Sequence, residues 1–552
     1  MVSQHSNESD HLDVLAHLPL IAEIPDVIRY HDLTALVTAL FTPLMIETTS
    51  MITNCRQHLQ SVVLIGAVLG GGLLCAAEAE DDPISIGTQK QLFLDKRLIA
   101  SSQDITLTMN EPRRDGQVLI KCDQPWEQGA SIGVYSSVVK DKGKVRLWYD
   151  IIRPTGPGPY DHERRVAYAE SKNGIDFVKP IQNLHEVDGS KANNIVLPGV
   201  IGGCSVWIDE HAPLEHRYKT QAKVYPSGQL HMHSSPDGLN WKFFQRLEPG
   251  PGGWDTQSIV FWDSEISRYV LFTRRWVRLE PRQTSYRTVR RLESTDFKHW
   301  ENETVAFQAD EIDLASQETP NGQPPVDYYG ADVFEYEGFK IMLAEAYWHW
   351  QSREPLKGLG PSGFDVHLAA SRDGKQFQRI GNRKAFMAMG PAGQFDSRYV
   401  WALPHPVPMG DELWIYYVGS NRDHDGNIDP TANGQHLSGI GRAVLRLDGF
   451  VSADADYKGG QITTPPISFE GNRLELNIDA SGGGSVLVEV LDPSGSPLPG
   501  FTKEDATPVN TNSVRAQVAW GDRDDVSSLS GKPVRLRFHL KNCKLYAFQF
   551  RD

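Results

Sequence analysis

The stretch SSPDGLNW, Ser234 to Trp241, sets two small residues and a Pro-Asp-Gly turn ahead of a closing aromatic, and close variants of it recur along the chain. SKNGIDF begins at Ser171, STDFKHW at Ser294 and SRDGKQF at Ser371. Each follows a short alternating segment, YAE, HMHS, RLES or HLAAS, the pattern of a half-buried strand running into a tight turn. The repeated element is therefore a hairpin.

Upstream of each turn lies a strand pair of similar design: VYSSVVKDKGKVRLWYD, CSVWIDEHAPLEHRYKTQA, SIVFWDSEISRYVLFTRR and ADVFEYEGFKIMLAEAYW. A fifth pair, YVWALPHPVPMGDELWIYYVGS from Tyr399, runs into the divergent RAVLRLDGF. Five self-similar units of roughly sixty to eighty residues, each of four strands, predict an all-β chain built on a five-bladed β-propeller. The segment QKQLFLDKRLIASSQDITLTMNEP belongs to none of the five and is the expected closing strand of the ring. After Phe450, TTPPISFEGNRLELNIDASGGGSVLVEVLDPSGSPLPGF and VRLRFHLKNCKLYAFQF alternate apolar and polar residues between Gly/Pro/Ser turns, which predicts a β-sandwich. The expected domains are a propeller over 80–451 and a sandwich over 452–552.

A chain of 552 residues, 40% of them hydrophobic, is long enough for two or three domains with sizeable cores. The formal charge of −15 is dispersed, with no Lys/Arg stripe, so a nucleic-acid backbone is not the expected partner. From Met51, a lone Arg56 is followed by an apolar run from Ser61 to Ala77 and the small-x-small site Ala77-Glu78-Ala79. This is the layout of a secretory signal peptide over 51–79, cut after Ala79, and the run is too short and Gly-rich for a membrane span. The first fifty residues then read as a leader from a start placed too early, and the mature protein as secreted or periplasmic. A lipoprotein reading through Cys75 is weaker, because Leu74 stands where processing wants a small residue. Of the five cysteines, Cys122, Cys204 and Cys543 would remain, an odd and sparse set with neither a disulfide framework nor a CxxC metal pair.

A five-bladed propeller followed by a β-sandwich resembles the glycoside hydrolases of families 32, 43 and 68. More narrowly, LFLDKRL, RLWYD, YAESKNGIDF, NNIVL, VLVEVLDPSG and KLYAFQF are similar to family-32-like proteins of secreting, polysaccharide-degrading bacteria, over nearly all of the mature chain. The resemblance implies action on carbohydrate. The signature motifs of family 32, NDPNG, RDP and EC, are absent: the corresponding strands read ASIGVYSSVV, GWDTQSIVFW and YYGADVFEY. Neither fructan nor arabinan cleavage carries over by motif.

Glycoside hydrolysis wants a carboxylic acid for the leaving oxygen and a carboxylate as nucleophile or base, both facing one pocket. In a propeller that pocket is the funnel where the inner strands begin. Asp255, Asp332 and Asp396 hold comparable positions in consecutive units and are candidate catalytic groups, although each also suits a strand-end cap. Glu345, in the apolar IMLAEAYWHW, is the general-acid candidate, since a carboxyl there is costly unless paired or functional; its bland alternative is an ion pair with an arginine such as Arg274. Candidate substrate contacts are Glu127 at the funnel rim, Arg274 and Arg275 as binders of a sugar carboxylate or sulfate, and Trp254, Trp276, Tyr347, Trp348 and Trp350 as stacking platforms or blade packing. His424 in NRDHDGN lies in a turn that lacks the closing glutamate of a calcium loop, so it is taken as a possible substrate contact and no metal is expected. HERR, His162 to Arg165, reads as a loop beside the first unit.

A sialidase would repeat S-x-D-x-G-x-T-W boxes, which these turns do not match, and no arginine triad is evident. With no G-x-S-x-G elbow, P-loop or dinucleotide fingerprint, serine-hydrolase and nucleotide chemistry have no support. The reading is a hydrolase without a cofactor acting on a poly- or oligosaccharide; the alternative is a non-catalytic carbohydrate-binding propeller.

Overall fold

The computed structural model describes residues 82–156, 161–224, 229–247, 256–279, 284–315, 325–350 and 360–552. The expected leader and signal peptide, together with Trp254 and Asp255, lie outside the described residues. The described chain is all-β, with one five-residue α-helix, Glu311–Ala315, and a few single 3-10 turns.

The strand pairs read from the sequence form antiparallel hairpins, and the hairpins combine into five four-stranded units. Unit 1 comprises Ser131–Asp141, Lys144–Pro154, His162–Ser171 and the first half of Ile195–Ile208. That fourteen-residue strand pairs with unit 1 up to Val200 and then with Tyr218–Val224, so it also leads unit 2, which continues through Leu230–Ser235 and Lys242–Arg246. HERR is thus the start of a strand, not a loop, because His162 to Arg165 pair with Ile151 to Pro154. Unit 3 comprises Ile259–Asp263, Arg268–Leu279, Thr284–Ser294 and Glu301–Phe307. Unit 4 comprises Val326–Tyr336, Phe339–Trp348, Phe364–Ser371 and Gln378–Arg379. Unit 5 comprises Tyr399–Ala402, Glu412–Ser420 and Ser438–Arg446, with Arg113–Arg114 added as its outer strand.

The recurring serine turn has one hydrogen-bond plan. Ser171, Ser235 and Ser371 each accept the amide of the glycine three residues on, at 2.9–3.0 Å. The side chain of Asn173, Asp237, Asp296 or Asp373 accepts amides two or three residues further along, an Asx turn that returns the chain. Gly174, Gly238 and Gly374 occupy the left-handed region at φ 75°, 74° and 68°. In the third copy Phe297 takes this position at φ 63°, held by its ring, which stacks on Trp207 at 5.9 Å and meets Tyr269 and Trp300 edge-on.

The stretch Gln89 to Pro112, expected to close the ring, is instead built mainly into the C-terminal part. Gln91–Leu92 pairs with Cys543–Arg551, Ser101–Gln103 with Gly460–Thr463, and Thr106–Met109 with Val451–Ala455, while the preceding Ile84–Gly87 runs parallel to Ile467–Phe469. Only the next residues, Arg113–Arg114, and an Ile120–Ile440 bridge join unit 5. The physical reason is edge cover. Two C-terminal sheets, one through Arg473–Asp479, Cys543–Arg551 and Val451–Ala455 and one through Ser485–Leu491, Arg535–Lys541 and Gly460–Thr463, end in strands whose open sides these segments occupy. Leu92, Phe93, Leu94 and Leu98 are buried there in one hydrophobic core that also holds Ile341 and Val366 of unit 4, Leu413 and Ile415 of unit 5, and Phe538 and Phe548 of the C-terminal sheets.

Candidate functional site

All five units meet at the residues just ahead of unit 3. Gln257 donates its side-chain amide to Ser136 O of unit 1 at 2.9 Å and Cys204 O of unit 2 at 2.8 Å, and accepts from Trp401 Nε1 of unit 5 at 3.4 Å. Thr256 Oγ1 donates to Tyr329 O of unit 4 at 3.3 Å. The leading strands therefore converge on one polar centre.

Around that centre, aromatic rings and guanidinium groups from four units form a continuous cluster. Arg164 lies 4.7 Å from the Tyr135 ring centre, Tyr135 meets Trp401 edge-on at 5.9 Å, and Trp401 meets Tyr329 at the same distance. Arg274 and Arg287 sit 5.0 Å and 4.7 Å from the Tyr329 ring, and Arg287 lies 4.3 Å from Trp276. Tyr347 stacks on Phe364 at 4.6 Å and its hydroxyl is 3.1 Å from His424 Nδ1. Trp276 is 42% exposed, Tyr329 and Tyr399 are half-buried, and His424 is exposed. These groups make a mouth over the converging strands.

Two carboxylates serve the guanidinium groups. Asp150 holds Arg164 through both oxygens. Asp327 accepts the Arg287 amide at 3.0 Å and its guanidinium at 3.3 Å, and its Oδ1 lies 3.0 Å from His349 Nε2. Asp150, Arg287, Asp327 and Tyr329 had no role in the reading of the sequence, and Arg164 entered only within HERR, read as a loop. The available signal was weak: a charge at the end of an apolar strand, as in RLWYD.

Of the candidates from the sequence, Arg274, Trp276, Tyr347 and His424 reach this mouth. Asp332 and Glu345 lie beneath it on one face of unit 4, at 2% and 1% exposure. A Cβ on Gly330 would stand 3.3 Å from Glu345 Oε2 and 3.5 Å from the Trp401 ring, so Glu345 sits directly under the aromatic layer. Burial pushes both carboxyls well above the usual range, and Asp332 adds to the effect on Glu345. The ion pair with Arg274 is not found at Glu345, whose Oε2 lacks a hydrogen-bond partner among the described residues.

The other candidates have structural partners. Asp396 accepts from Arg114 at 2.8 Å and from the Tyr417 hydroxyl at 3.0 Å, so it clamps the outer strand of unit 5 through side chains. Glu127 closes a capping box on the turn Pro125–Glu127: its oxygens accept from the Asp123 and Gln124 amides, Lys179 and the Tyr149 hydroxyl at 2.6–3.0 Å. At 1% exposure and with four donors on it, it is an internal tie and not a rim contact. Trp348 stacks on Trp350 at 5.3 Å and packs into the core between units 3 and 4, on the opposite face of its strand from Tyr347. Arg275 pairs with Glu303 inside unit 3. Among the described residues no group of three or more His, Cys, Asp or Glu side chains is placed to hold a metal ion.

No protein-family model matches the chain. Two Mycobacterium tuberculosis proteins, uncharacterized protein MT1551 of strain CDC 1551 / Oshkosh and uncharacterized protein Rv1502 of strain H37Rv, are each 20% identical over 212 residues, 35% of this chain and 68% of theirs. Among solved structures, the beta-1,2-mannobiose phosphorylase from Listeria innocua is similar over 61% of this chain and 97% of its own, at 13% identity and a TM-score of 0.42. A glycosyl hydrolase from Bacteroides ovatus is similar over 61% and 94%, at 12% identity and 0.42. At these scores the likeness supports no inference about this chain.

Proposed function

We propose that the chain is a secreted glycoside hydrolase whose five units close into a β-propeller, with the C-terminal sheets packed beside it as a β-sandwich, and that a saccharide seats on the mouth over the converging strands. The observation that carries the reading is the run of half-buried and exposed rings, Tyr329, Tyr399 and Trp276, interleaved with Arg164, Arg274 and Arg287. Flat apolar faces with polar edges suit sugar rings, and guanidinium forks suit ring hydroxyls or acidic substituents. Hydrolysis needs one carboxyl kept neutral and one kept charged. Glu345, held protonated by burial, meets the first need, and Asp150, which holds Arg164 through both oxygens, is the second carboxyl. Secretion rests on the apolar run from Ser61 to Ala77 and the cleavage site after it.

A second reading, saccharide binding without cleavage, is favoured by one observation: Asp332 and Glu345 are covered by the aromatic layer, and Asp396 is closed by Arg114. The protein expressed from about Glu80 is incubated with plant and marine polysaccharides and oligosaccharides, and both released sugar and retained binding are measured for wild type, Asp255→Asn, Asp150→Asn and Trp276→Ala. Trp276→Ala is expected to weaken binding two- to tenfold, the worth of one aromatic stacking contact, with the fold intact because the ring is exposed. Release by wild type that disappears in a carboxyl variant supports the hydrolase. Binding without release supports the second reading, and neither binding nor release removes both.

A further inference from the structure

Asp332 and Glu345 occupy diagonal positions of one hairpin, since Asp332 pairs with Leu343 and Gly330 with Glu345. Such neighbours share a face and stand roughly 7–8 Å apart or less. Neither Asp332 oxygen, nor Glu345 Oε2, has a hydrogen-bond partner among the described residues. The groups packed around them are Thr256 from unit 3, Trp401 from unit 5, Val366 and Leu343 within unit 4, and the backbone amide of His405, which faces Asp332 without completing a hydrogen bond. No cation among the described residues acts on either carboxyl. His405 offers no charge near neutral pH, because burial holds its imidazole down to about 4.

A buried carboxylate without a cation or a hydrogen-bond donor is costly, and two of them in one hydrophobic seam are costlier still. We propose that Asp332 and Glu345 stay protonated as a pair inside the seam between units 4 and 5, and that their ionisation on raising the pH loosens the seam and the aromatic layer above it. The coupling to that layer is direct. Tyr329 neighbours Gly330 in sequence, and the Trp401 ring and Glu345 Oε2 flank the same empty Cβ position at 3.5 Å and 3.3 Å.

The sign follows from linkage. A carboxyl kept protonated in the fold but free to ionise in the unfolded chain gives its full stabilisation below about pH 4. Above that it loses about a factor of ten in the folded-to-unfolded ratio per pH unit until the folded group ionises. Removing the ionisable groups should therefore matter little in acid and help in alkali.

The test is thermal or urea unfolding of wild type, Glu345→Gln, Asp332→Asn and the double variant from pH 5 to 9, together with infrared detection of protonated carboxyl groups and amide exchange of Ala331 and Trp401. The expected result is a stability difference that moves toward the variants by up to about tenfold per pH unit for each group removed. At pH 8.5, where the Asp365 carboxyl has ionised, two protonated carboxyls should be visible in wild type and one in each single variant, and the protection of both amides, corrected for intrinsic exchange, should fall with pH in wild type only. A stability difference independent of pH, or a protonated-carboxyl band at pH 8.5 that is absent in wild type or unchanged in both single variants, overturns the proposal. If the variants do not fold, the infrared band and amide exchange of the wild type alone decide it.

Discussion

Gly133 stands where any side chain would collide with Asp150: a Cβ built on it would lie 2.6 Å from the carboxyl carbon. The missing side chain is what lets Asp150 lie across its partner strand and hold Arg164 beside Tyr135. Gly133→Ala must push Asp150 aside, and overpacking of this kind costs roughly 1–3 kcal/mol. The expected outcome is a lowered urea midpoint with an unchanged slope, and weakened saccharide binding at temperatures where the variant is still folded.

Phe297 tests a conflict between backbone and packing. Its left-handed backbone costs about 1–2 kcal/mol for a residue with a side chain, and glycine, present in three of the four copies of the turn, would remove that cost. Its ring is 3% exposed and packed on Trp207, Tyr269 and Trp300, and truncating a buried phenylalanine costs about 3–5 kcal/mol. Packing wins, so Phe297→Gly should destabilise by about 2–3 kcal/mol in denaturant unfolding. A stabilised variant would show that the backbone strain outweighs the ring's contacts.

Asp396 separates clamp from catalyst. Removing one partner of a buried ion pair costs about 3 kcal/mol or more, and Asp396→Ala leaves Arg114 and the Tyr417 hydroxyl without their acceptor. The expected variant is less stable, with faster amide exchange along Arg113–Arg114, yet keeps the specific activity of the folded protein on any substrate that the wild type cleaves. A stable but inactive variant would return Asp396 to the catalytic group.

Asp365 should report pH through the neighbouring tryptophans. Burial pushes its carboxyl up to about 7, with the Trp348 indole N–H acting in the opposite sense. A folded value above the unfolded one means that the contribution to stability is complete below about pH 4, declines as pH rises toward 7, and is spent above it. The fluorescence of the Trp348–Trp350 pair should titrate with a midpoint near 7. In Asp365→Asn the transition should vanish, and the variant should gain on wild type between pH 5 and 7 and no further beyond pH 8.

The strand pairs and serine turns were legible because their signals are local: alternation with period two and a turn of fixed chemistry within eight residues. The pairing of Thr106–Met109 with Val451–Ala455 leaves no such trace, since nothing near Thr106 encodes which of many distant open edges it will cover. The site divides the same way. Glu345 stood out as a charge in an apolar strand and Arg274 as half of an arginine pair suited to an acidic sugar, whereas Arg287 and Asp327 gain meaning only when units 3 and 4 bring them within 3.3 Å. Asp396 was ambiguous because a strand-end aspartate looks the same whether it caps or catalyses, and its partner Arg114 lies 282 residues away. Glu127 was readable and missed: Gln124 and Glu127 have the spacing of a capping box.

The strands Ile84–Gly87 and Thr106–Met109 find their partners in Ile467–Phe469 and Val451–Ala455, and this orders events during synthesis. Among the described residues, the strands that leave the ribosome first have no sheet to join until nearly the whole chain has followed. For that interval they are unpaired edges, prone to pairing with other chains. A holdase that keeps the leading segment extended would thus be needed early and dispensable once Cys543–Arg551 has emerged. The first and last of the described strands share one clasp, so fraying of either would be felt first at the other.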